Sequence, residues 1–199
     1  NKIIIVTGDP NSINSEIIYK AFKNLDHKIK KRLYLIGNYE LIYKQYKKLK
    51  CKTKIIKINN INQNNISNNL KILDIPLSFK NPFKVNLKES SKYVLKSLNL
   101  AHSLAKKKNV NGIINCPIDK NLIKVSKKVG VTEYLASKCK IKNSTEVMLI
   151  HNKKFSVVPL TTHLDIRNIT KKITSKLIIR NGWHGIPVPL GAKRRKKLP

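Results

Sequence analysis

Three short segments of the sequence carry side chains that could transfer a proton, bind a phosphoryl group or bind a metal ion. They are residues 8–16, which include Asp9; residues 115–120, which end in Asp119 and Lys120; and residues 161–163, which end in His163. A carboxylate can exchange a proton, an ammonium group can bind phosphate, and a neutral imidazole is a common ligand of divalent metals. Taken singly, the segments also fit a turn, a helix-starting aspartate beside an exposed lysine, and a structural histidine.

Each of these segments follows a predicted β-strand. Short apolar runs rich in β-branched residues lie at 2–7, 112–117 and 155–160, and each run stops at glycine, proline or threonine. In open α/β sheets, ligands bind outside the carboxyl ends of the strands. We therefore expect His163 and the loops beginning at Gly8 and Pro117 to share one cleft.

The rest of the chain alternates strand and helix patterns. Further strands are predicted at 32–37, 54–58, 72–77 and 147–151, and residues 59–69, rich in asparagine, are predicted to form a loop. Helices are predicted from Ser15, with Asn14 or Ser15 as N-cap, and at 39–48, 90–107, 119–127, 132–138 and 165–179. This order favours a layered α/β/α fold with a largely parallel sheet.

The predicted α/β domain covers residues 1–180, and the segment after it has a different composition. Residues 181–199 contain the single tryptophan, three of the seven glycines and the basic run 193–197. No helix or strand of useful length fits there. We interpret 181–199 as an atypical basic tail, frameshifted, chimeric or disordered, with a docking tail as the alternative.

The composition restricts the class of protein. The net charge is +32, but 37 of the 42 basic residues are lysines spread along the whole chain, beside abundant asparagine and isoleucine. This bias favours an ordinary enzyme surface over an evolved nucleic-acid site. Three widely spaced cysteines predict neither disulfides nor a cysteine-rich metal site. No apolar run is long enough to cross a membrane, so we expect a cytoplasmic protein.

Five motifs, in order, together resemble one enzyme family. They are Gly8-Asp9-Pro10 with Glu16, Pro117-Ile-Asp-Lys120, Gly130-Val-Thr-Glu-Tyr-Leu-Ala136, Val147-Met-Leu149 and Thr161-Thr-His-Leu164. From about Ile3 to Leu177 the chain resembles the 4-hydroxythreonine-4-phosphate dehydrogenases. The resemblance implies a fold of the isocitrate/isopropylmalate dehydrogenase type, with an incomplete second domain here.

The resemblance also implies a reaction. It would be the oxidation, followed by decarboxylation, of 4-phosphooxy-L-threonine in vitamin B6 (pyridoxal phosphate) biosynthesis. The cofactors would be NAD or NADP and a divalent metal, zinc, magnesium or cobalt, and the full-length protein would be a homodimer.

The resemblance places positions of the family's site at five residues of this chain. His163 matches the first metal-ligating histidine, and Thr132 matches a residue that contacts the phosphorylated substrate, with Val131 beside it in the same motif. Lys120 and Asp119 belong to a motif near the substrate and are the catalytic candidates. No cofactor-binding residue is assigned.

Departures from the family pattern limit what the chain could do. Val131 replaces the family's usual histidine and cannot form its hydrogen bond. Residues 10–16 lack both glycines of the family loop Pro-Ala-Gly-Ile-Gly-Pro-Glu, which restricts positive φ angles. The family's other two metal histidines have no match, and His184 is a poor substitute for either. Because a catalytic metal needs three protein ligands, we expect this truncated chain to be inactive.

Two other functions stay open at this stage. A lysine-rich nucleic-acid-binding module would depend on the basic residues, above all 193–197. A non-catalytic binder of phosphorylated ligands would use the same strand-end loops without turnover.

Overall fold

The computed structural model describes residues 2–62, 68–128, 130–139, 147–152, 155–161 and 165–179. The chain divides into two compact units, Asn1–Lys138 and Cys139–Pro199. The first unit contains five strands, β1 (Lys2–Val6), β2 (Leu33–Gly37), β3 (Ile55–Ile58), β4 (Leu70–Asp74) and β5 (Val110–Asn115). Its helices are α1 (Asn14–Asn24), α2 (His27–Arg32), α3 (Tyr39–Lys48), α4 (Leu87–Ala105), α5 (Lys120–Ile123) and α6 (Val131–Lys138), with a 3-10 turn at Lys124–Ser126.

The five strands form one parallel sheet in the order β3-β4-β2-β1-β5. Strand β1 aligns its last residue, Val6, with Ile36 of β2 on one side and Asn115 of β5 on the other. Parallel neighbours require crossover connections, and helices supply most of them here. All five carboxyl ends therefore lie at the same edge of the sheet.

Two apolar clusters cover the two faces of this sheet. Along β2, Leu33 and Leu35 belong to one cluster and Tyr34 and Ile36 to the other, because successive strand side chains point to opposite faces. Helices α1 and α3 pack on the Leu35 face, and α4, α5 and α6 pack on the Ile36 face. The result is the predicted α/β/α layering, and the fold class is confirmed.

A buried lysine lies in β4 among these apolar residues. Lys71 is fully buried, and its Nζ donates to Lys31 O at 2.5 Å, at the carboxyl end of α2. The same ammonium group lies 4.5 Å from the centre of the Tyr34 ring. Burial lowers the pKa of Lys71, and the charge of Lys2 lowers it further. The carbonyl and the aromatic face partly replace the water that the ammonium group has lost.

The second unit has little regular structure in its described part. β6 (Ile150–His151) and β7 (Ser156–Val157) form an antiparallel pair, and a 3-10 turn (Ile166–Asn168) leads into α7 (Ile169–Lys172). The strands predicted at 147–151 and 155–160 are therefore too long, and they form a separate two-stranded sheet instead of belonging to the parallel sheet. Residues 175–179 are helical again. The helix predicted over 165–179 is therefore wrong as one continuous element, because the chain leaves the helical conformation at Ile173, whose ψ is 117°.

Three other sequence predictions need correction. The sequence patterns do not predict α2, because His27–Arg32 is short and has no apolar periodicity; Asp26 starts it by accepting from Ile29 N at 2.8 Å. β4 begins at Leu70, two residues before the predicted strand. α4 begins at Leu87 rather than 90, where Asn86 caps it. The predicted domain boundary at residue 180 stays a prediction.

Candidate active site

The loops that follow β1 and β5 meet at the carboxyl edge of the sheet. The two strands stay paired to their ends, where Cys116 N donates to Val6 O at 3.0 Å. Beyond that point Asp9 N donates to Pro117 O at 3.2 Å. Gly8 makes this approach possible: its φ is +73°, and a Cβ there would lie 2.6 Å from Pro117 O. The two loops predicted to share a cleft are therefore in direct contact.

This contact lies between two neighbouring strands whose following connections leave on opposite faces of the sheet. After β1 the chain passes to α1 on one face, and after β5 it passes to α5 on the other. Two neighbouring strands whose connections leave on opposite faces form a crevice between their carboxyl ends. The ends of β1 and β5 are the expected ligand-binding position in a sheet of this topology.

Asn14, the first residue of α1, joins the two loops through its side-chain amide. Its Nδ2 donates to Pro117 O at 2.7 Å and to Thr7 O at 3.0 Å, and lies 3.5 Å from Asp9 O. The residue is 2% exposed, and Oδ1 has no partner among the described residues. Asn14 therefore connects the two loops through hydrogen bonds. The prediction that Asn14 or Ser15 caps α1 is wrong, since the N-cap is Ile13, without a side-chain cap.

Two further amides hold the same loop from its other side. Asn11 Nδ2 donates to Val85 O at 2.9 Å, and Val85 N donates to Asn11 Oδ1 at 2.7 Å, which imitates a pair of strand hydrogen bonds. Gln45, 2% exposed on α3, donates through Nε2 to Pro10 O at 3.0 Å and Pro82 O at 2.7 Å. Every donor and acceptor in these contacts is either backbone or uncharged amide, so the loop is held without buried charge.

A buried hydroxyl pair connects β1, β2 and α4 below the loops. Tyr93 OH and Thr7 Oγ1 are 2.6 Å apart; Thr7 Oγ1 also donates to Ile36 O at 3.1 Å, so the tyrosine is the donor within the pair. Tyr93 OH in turn accepts from Asn38 N at 3.0 Å. Burial raises the pKa of Tyr93 to about 12, so the phenol stays protonated at neutral pH. These bonds fix the strand ends that carry the loops.

The absence of the family's loop glycines has no backbone consequence in the described chain. Among the described residues, positive φ angles occur at Gly8, Lys50 and Lys127 alone. Residues 11–15 therefore keep ordinary φ values. Ile13, for example, has a φ of −78°.

The acidic candidates of both loops take part in local turns. Asp9 Oδ1 accepts from Asn11 N at 2.9 Å. Asp119 is the N-cap of α5 and accepts from Asn121 N, also at 2.9 Å. Lys120 is the first residue of α5 and is exposed. This geometry matches the helix-starting aspartate and exposed lysine of the structural alternative, and it leaves the ammonium group free to reach a ligand.

Val131 and Thr132 open helix α6, which packs on α4. Tyr134 OH donates to Asn99 Oδ1 at 2.7 Å and anchors the helix. Val131 packs against the apolar core, whereas Thr132 is exposed. Of the two, only the Thr132 hydroxyl can form a hydrogen bond with a ligand.

His163, the predicted metal ligand, lies outside the described residues, as do Thr162, Leu164 and the tail 181–199 with His184. Within the described ranges, no three His, Cys, Asp or Glu side chains come together as a possible metal site. His102, on α4, lies at the boundary of the core, and burial together with Lys106 and Lys138 lowers its pKa. The described donor atoms thus do not fit a catalytic metal by themselves.

Cys116 is the one thiol next to the meeting loops in the described chain. It is 7% exposed, and burial raises its pKa to about 11. A thiol with that pKa is protonated at neutral pH and is a poor nucleophile. Cys116 is therefore a packing residue at the end of β5.

Residues 28–182 match the family described as pyridoxal phosphate biosynthetic protein PdxA. The chain belongs to the PdxA family. PdxA relatives include the 4-hydroxythreonine-4-phosphate dehydrogenase of a Sulfurihydrogenibium species, 30% identical over 184 residues, which cover 89% of this chain and 54% of that protein. The enzyme of the same name from Erythrobacter litoralis is 26% identical, and the match covers 90% of this chain and 54% of that enzyme.

A solved PdxA-type structure confirms the fold. The crystal structure of the 4-hydroxythreonine-4-phosphate dehydrogenase from Burkholderia phymatum superposes with a TM-score of 0.79 at 21% identity, over 91% of this chain and 56% of that one. The chain thus spans about half the length of the PdxA relatives that it matches. No helix in the described part of this PdxA chain is both long and apolar enough to span a membrane.

The sequence patterns locate the two loops but miss the amides that join them. Gln45 gives a usable signal, since it lies on the face of α3 with Leu41 and Ile42, and a polar residue on a buried face needs an internal partner. Asn14 gives none, because an asparagine at the start of a helix is expected to cap it.

Proposed function

We propose that this chain forms the strand-end part of a nicotinamide-dependent dehydrogenase that oxidises 4-phosphooxy-L-threonine in pyridoxal phosphate biosynthesis. The observation that carries the proposal is the contact between the β1 and β5 loops at the carboxyl edge of the sheet, where the connections after the two strands leave on opposite faces. The chain that contains this contact belongs to the PdxA family. Several matched relatives are named 4-hydroxythreonine-4-phosphate dehydrogenase. The proposed cofactor is NAD or NADP, and the proposed full-length assembly is a cytoplasmic homodimer.

The proposed roles follow from exposure and charge. The Thr132 hydroxyl would donate to a phosphate oxygen of the substrate, and the Lys120 ammonium group would neutralise part of the charge of the phosphate or carboxylate. Asp119 would position Lys120, because its carboxylate already fixes the start of α5. The hydrogen bonds of the Asn14 amide would keep the floor of the cleft in place when a ligand binds.

The metal part of the proposal rests on His163 as one ligand. A bound divalent ion would supply a Lewis acid that polarises the substrate hydroxyl. Three protein ligands are needed for such a site, and the described residues offer no group of three. We therefore assign the ion no reaction step, and we expect the 199-residue chain to oxidise no substrate by itself.

Two measurements test this function. The coding sequence after the codon for residue 180 should contain a frame that supplies further histidines. The longer polypeptide, with a divalent metal, should then reduce NAD or NADP when 4-phosphooxy-L-threonine is added. A longer polypeptide without such activity would overturn the enzymatic proposal. Robust turnover by the 199-residue chain would contradict the expected lack of activity.

Calorimetry on the 199-residue chain tests the assigned residues. Thr132→Val should weaken the binding of 4-phosphooxy-L-threonine by about tenfold, the loss expected for one hydrogen bond to a charged group. Ser126→Ala is the control, because the Ser126 hydroxyl already donates to Ile123 O at 2.7 Å. Equal affinities for the two variants would remove Thr132 from the site.

A further inference from the structure

Four lysines line one concavity whose lining includes none of the proposed catalytic or substrate-binding residues. Lys44, Lys47 and Lys48 come from the second half of α3, and Lys80 comes from the loop after β4. Asn81 and Pro82 complete the lining, and the volume is about 570 Å³. All four lysines are exposed residues, so their ammonium groups reach solvent.

The two elements that carry these lysines are held together by the buried amide of Gln45. Its Nε2 donates to Pro82 O at 2.7 Å, which ties the Lys80 loop to α3 in the middle of the lysine run. Lys44 adds a second connection, because its Nζ lies 5.4 Å from the centre of the Phe79 ring. The concavity is therefore a fixed feature of the fold.

The charge in this concavity is poorly compensated. Glu40 pairs with Lys44 at 3.2 Å on α3. The side chains of Lys47, Lys48 and Lys80 have no hydrogen bond or ion pair with any described residue. Like charges in one depression repel each other, and a concave wall of low dielectric strengthens their combined field. A lysine-rich composition explains many lysines on convex surfaces, where water screens each one, but it gives no reason to gather unpaired ammonium groups around one depression.

We propose that this lysine pocket, residues 44, 47, 48 and 80–82, binds a compact multivalent anion of the oligophosphate class. Several phosphate oxygens on one small molecule can contact several ammonium groups at once, and lysine binds phosphate as a point charge without a strict geometry. The volume of about 570 Å³ is large enough to admit a ligand of triphosphate size. The Gln45 amide connects the pocket to the first loop of the candidate active site. The function of the pocket does not depend on the proposed reaction.

Titration calorimetry with inorganic tripolyphosphate tests the proposal. Lys47→Gln/Lys80→Gln removes two charges from the pocket, and Lys88→Gln/Lys96→Gln removes two charges from exposed positions of α4. Because the overall charge changes equally, only a local site distinguishes the variants. We expect the pocket variant to lose about tenfold or more in affinity and the control to lose less than about twofold at physiological ionic strength.

Three results would overturn the proposal that the lysine pocket binds such an anion. They are equal losses in the two variants, binding that never saturates, or wild-type affinity in the pocket variant. A single-stranded oligonucleotide should bind both variants alike; if the pocket mutations weaken it while leaving tripolyphosphate unaffected, the site serves nucleic acid instead. Urea unfolding checks that all three proteins are folded, and because the pocket mutations relieve charge repulsion, the pocket variant should be at least as stable as the wild type.

Discussion

The contact between the two loops can be tested by changing the chemistry of one buried amide while keeping its shape. Asn14→Asp replaces the Nδ2 donor with an oxygen. Asn14 Nδ2 faces Thr7 O and Pro117 O within hydrogen-bond distance, with Asp9 O at 3.5 Å. A carboxylate in that position would meet carbonyl oxygens and no donor. We expect the introduced group to stay protonated in the folded protein, with its pKa well above the unfolded value.

The size of the effect follows from the number of bonds and from linkage. Asn14→Ala removes two good hydrogen bonds, to Thr7 O and Pro117 O, at about 1 kcal/mol each, so it should cost about 2 kcal/mol at every pH. The carboxyl variant adds a pH-dependent cost. An acid whose folded pKa is raised loses stability as pH rises above the unfolded value of about 3.9, by about 1.4 kcal/mol per pH unit up to the folded pKa. If the folded pKa reaches about 7, the extra cost at neutral pH is about 4 kcal/mol.

Urea unfolding between about pH 4 and pH 7 measures both parts. The two variants should differ little at the acidic end and diverge steadily above it, while the difference between wild type and Asn14→Ala stays flat. Asn111→Asp, at an exposed position of β5, is the control and should show no divergence. Parallel curves for the Ala and Asp variants would refute the claim that Nδ2 is enclosed by carbonyl groups. Amide exchange at Asp9 adds a local readout, because Asp9 N donates to Pro117 O and should exchange faster in both variants.

Two further predictions concern the sheet that carries the loops. Burial lowers the pKa of Lys71, so the folded protein binds fewer protons at this residue than the unfolded chain does. The contribution of Lys71 to stability should therefore rise as pH increases toward the unfolded value of about 10.4. Lys71→Met should make the slope of stability against pH less positive than in the wild type, and identical slopes in alkaline urea unfolding would contradict the assignment. Tyr93→Phe leaves Asn38 N and Thr7 Oγ1 without their phenol partner and should cost about 2 kcal/mol of stability. The control Tyr43→Phe changes a side chain that is 49% exposed and should stay within about 0.5 kcal/mol of wild type. Similar urea midpoints for the two variants would count against the hydrogen-bond network of Tyr93.

The sheet could be predicted because its strands have strong local patterns. The runs at Ile3–Val6 and Leu33–Ile36 are continuous apolar segments followed closely by glycine, as expected for strands buried on both faces. The pattern places β4 too late because Lys71 interrupts its apolar run. Lys71 can occupy an internal strand because its ammonium group contacts Lys31 O and the Tyr34 ring. A local sequence pattern cannot reveal these partners, because they are distant in sequence.

The site was only partly predictable for the same reason. Strand ends and turn residues located the Gly8 and Pro117 loops, since both features are local. The distance between the loops depends on strand order, which places β5 beside β1 although more than 100 residues separate Gly8 from Pro117. The amide of Asn14 has no local signature either, because its partner Pro117 O is 103 residues away.

The amides also explain how this chain keeps the loop without the family's glycines. Glycines give a loop close approach and free choice of φ, but they leave the unfolded chain flexible and contribute no side-chain bond. Here Asn11 and Asn14 keep ordinary φ angles, and their amides bind the carbonyl groups around the loop. Gln45 does the same from α3. The loop is thus stabilised by side-chain hydrogen bonds in the folded state, and replacing Asn14 with the family's glycine should loosen the contact between the loops.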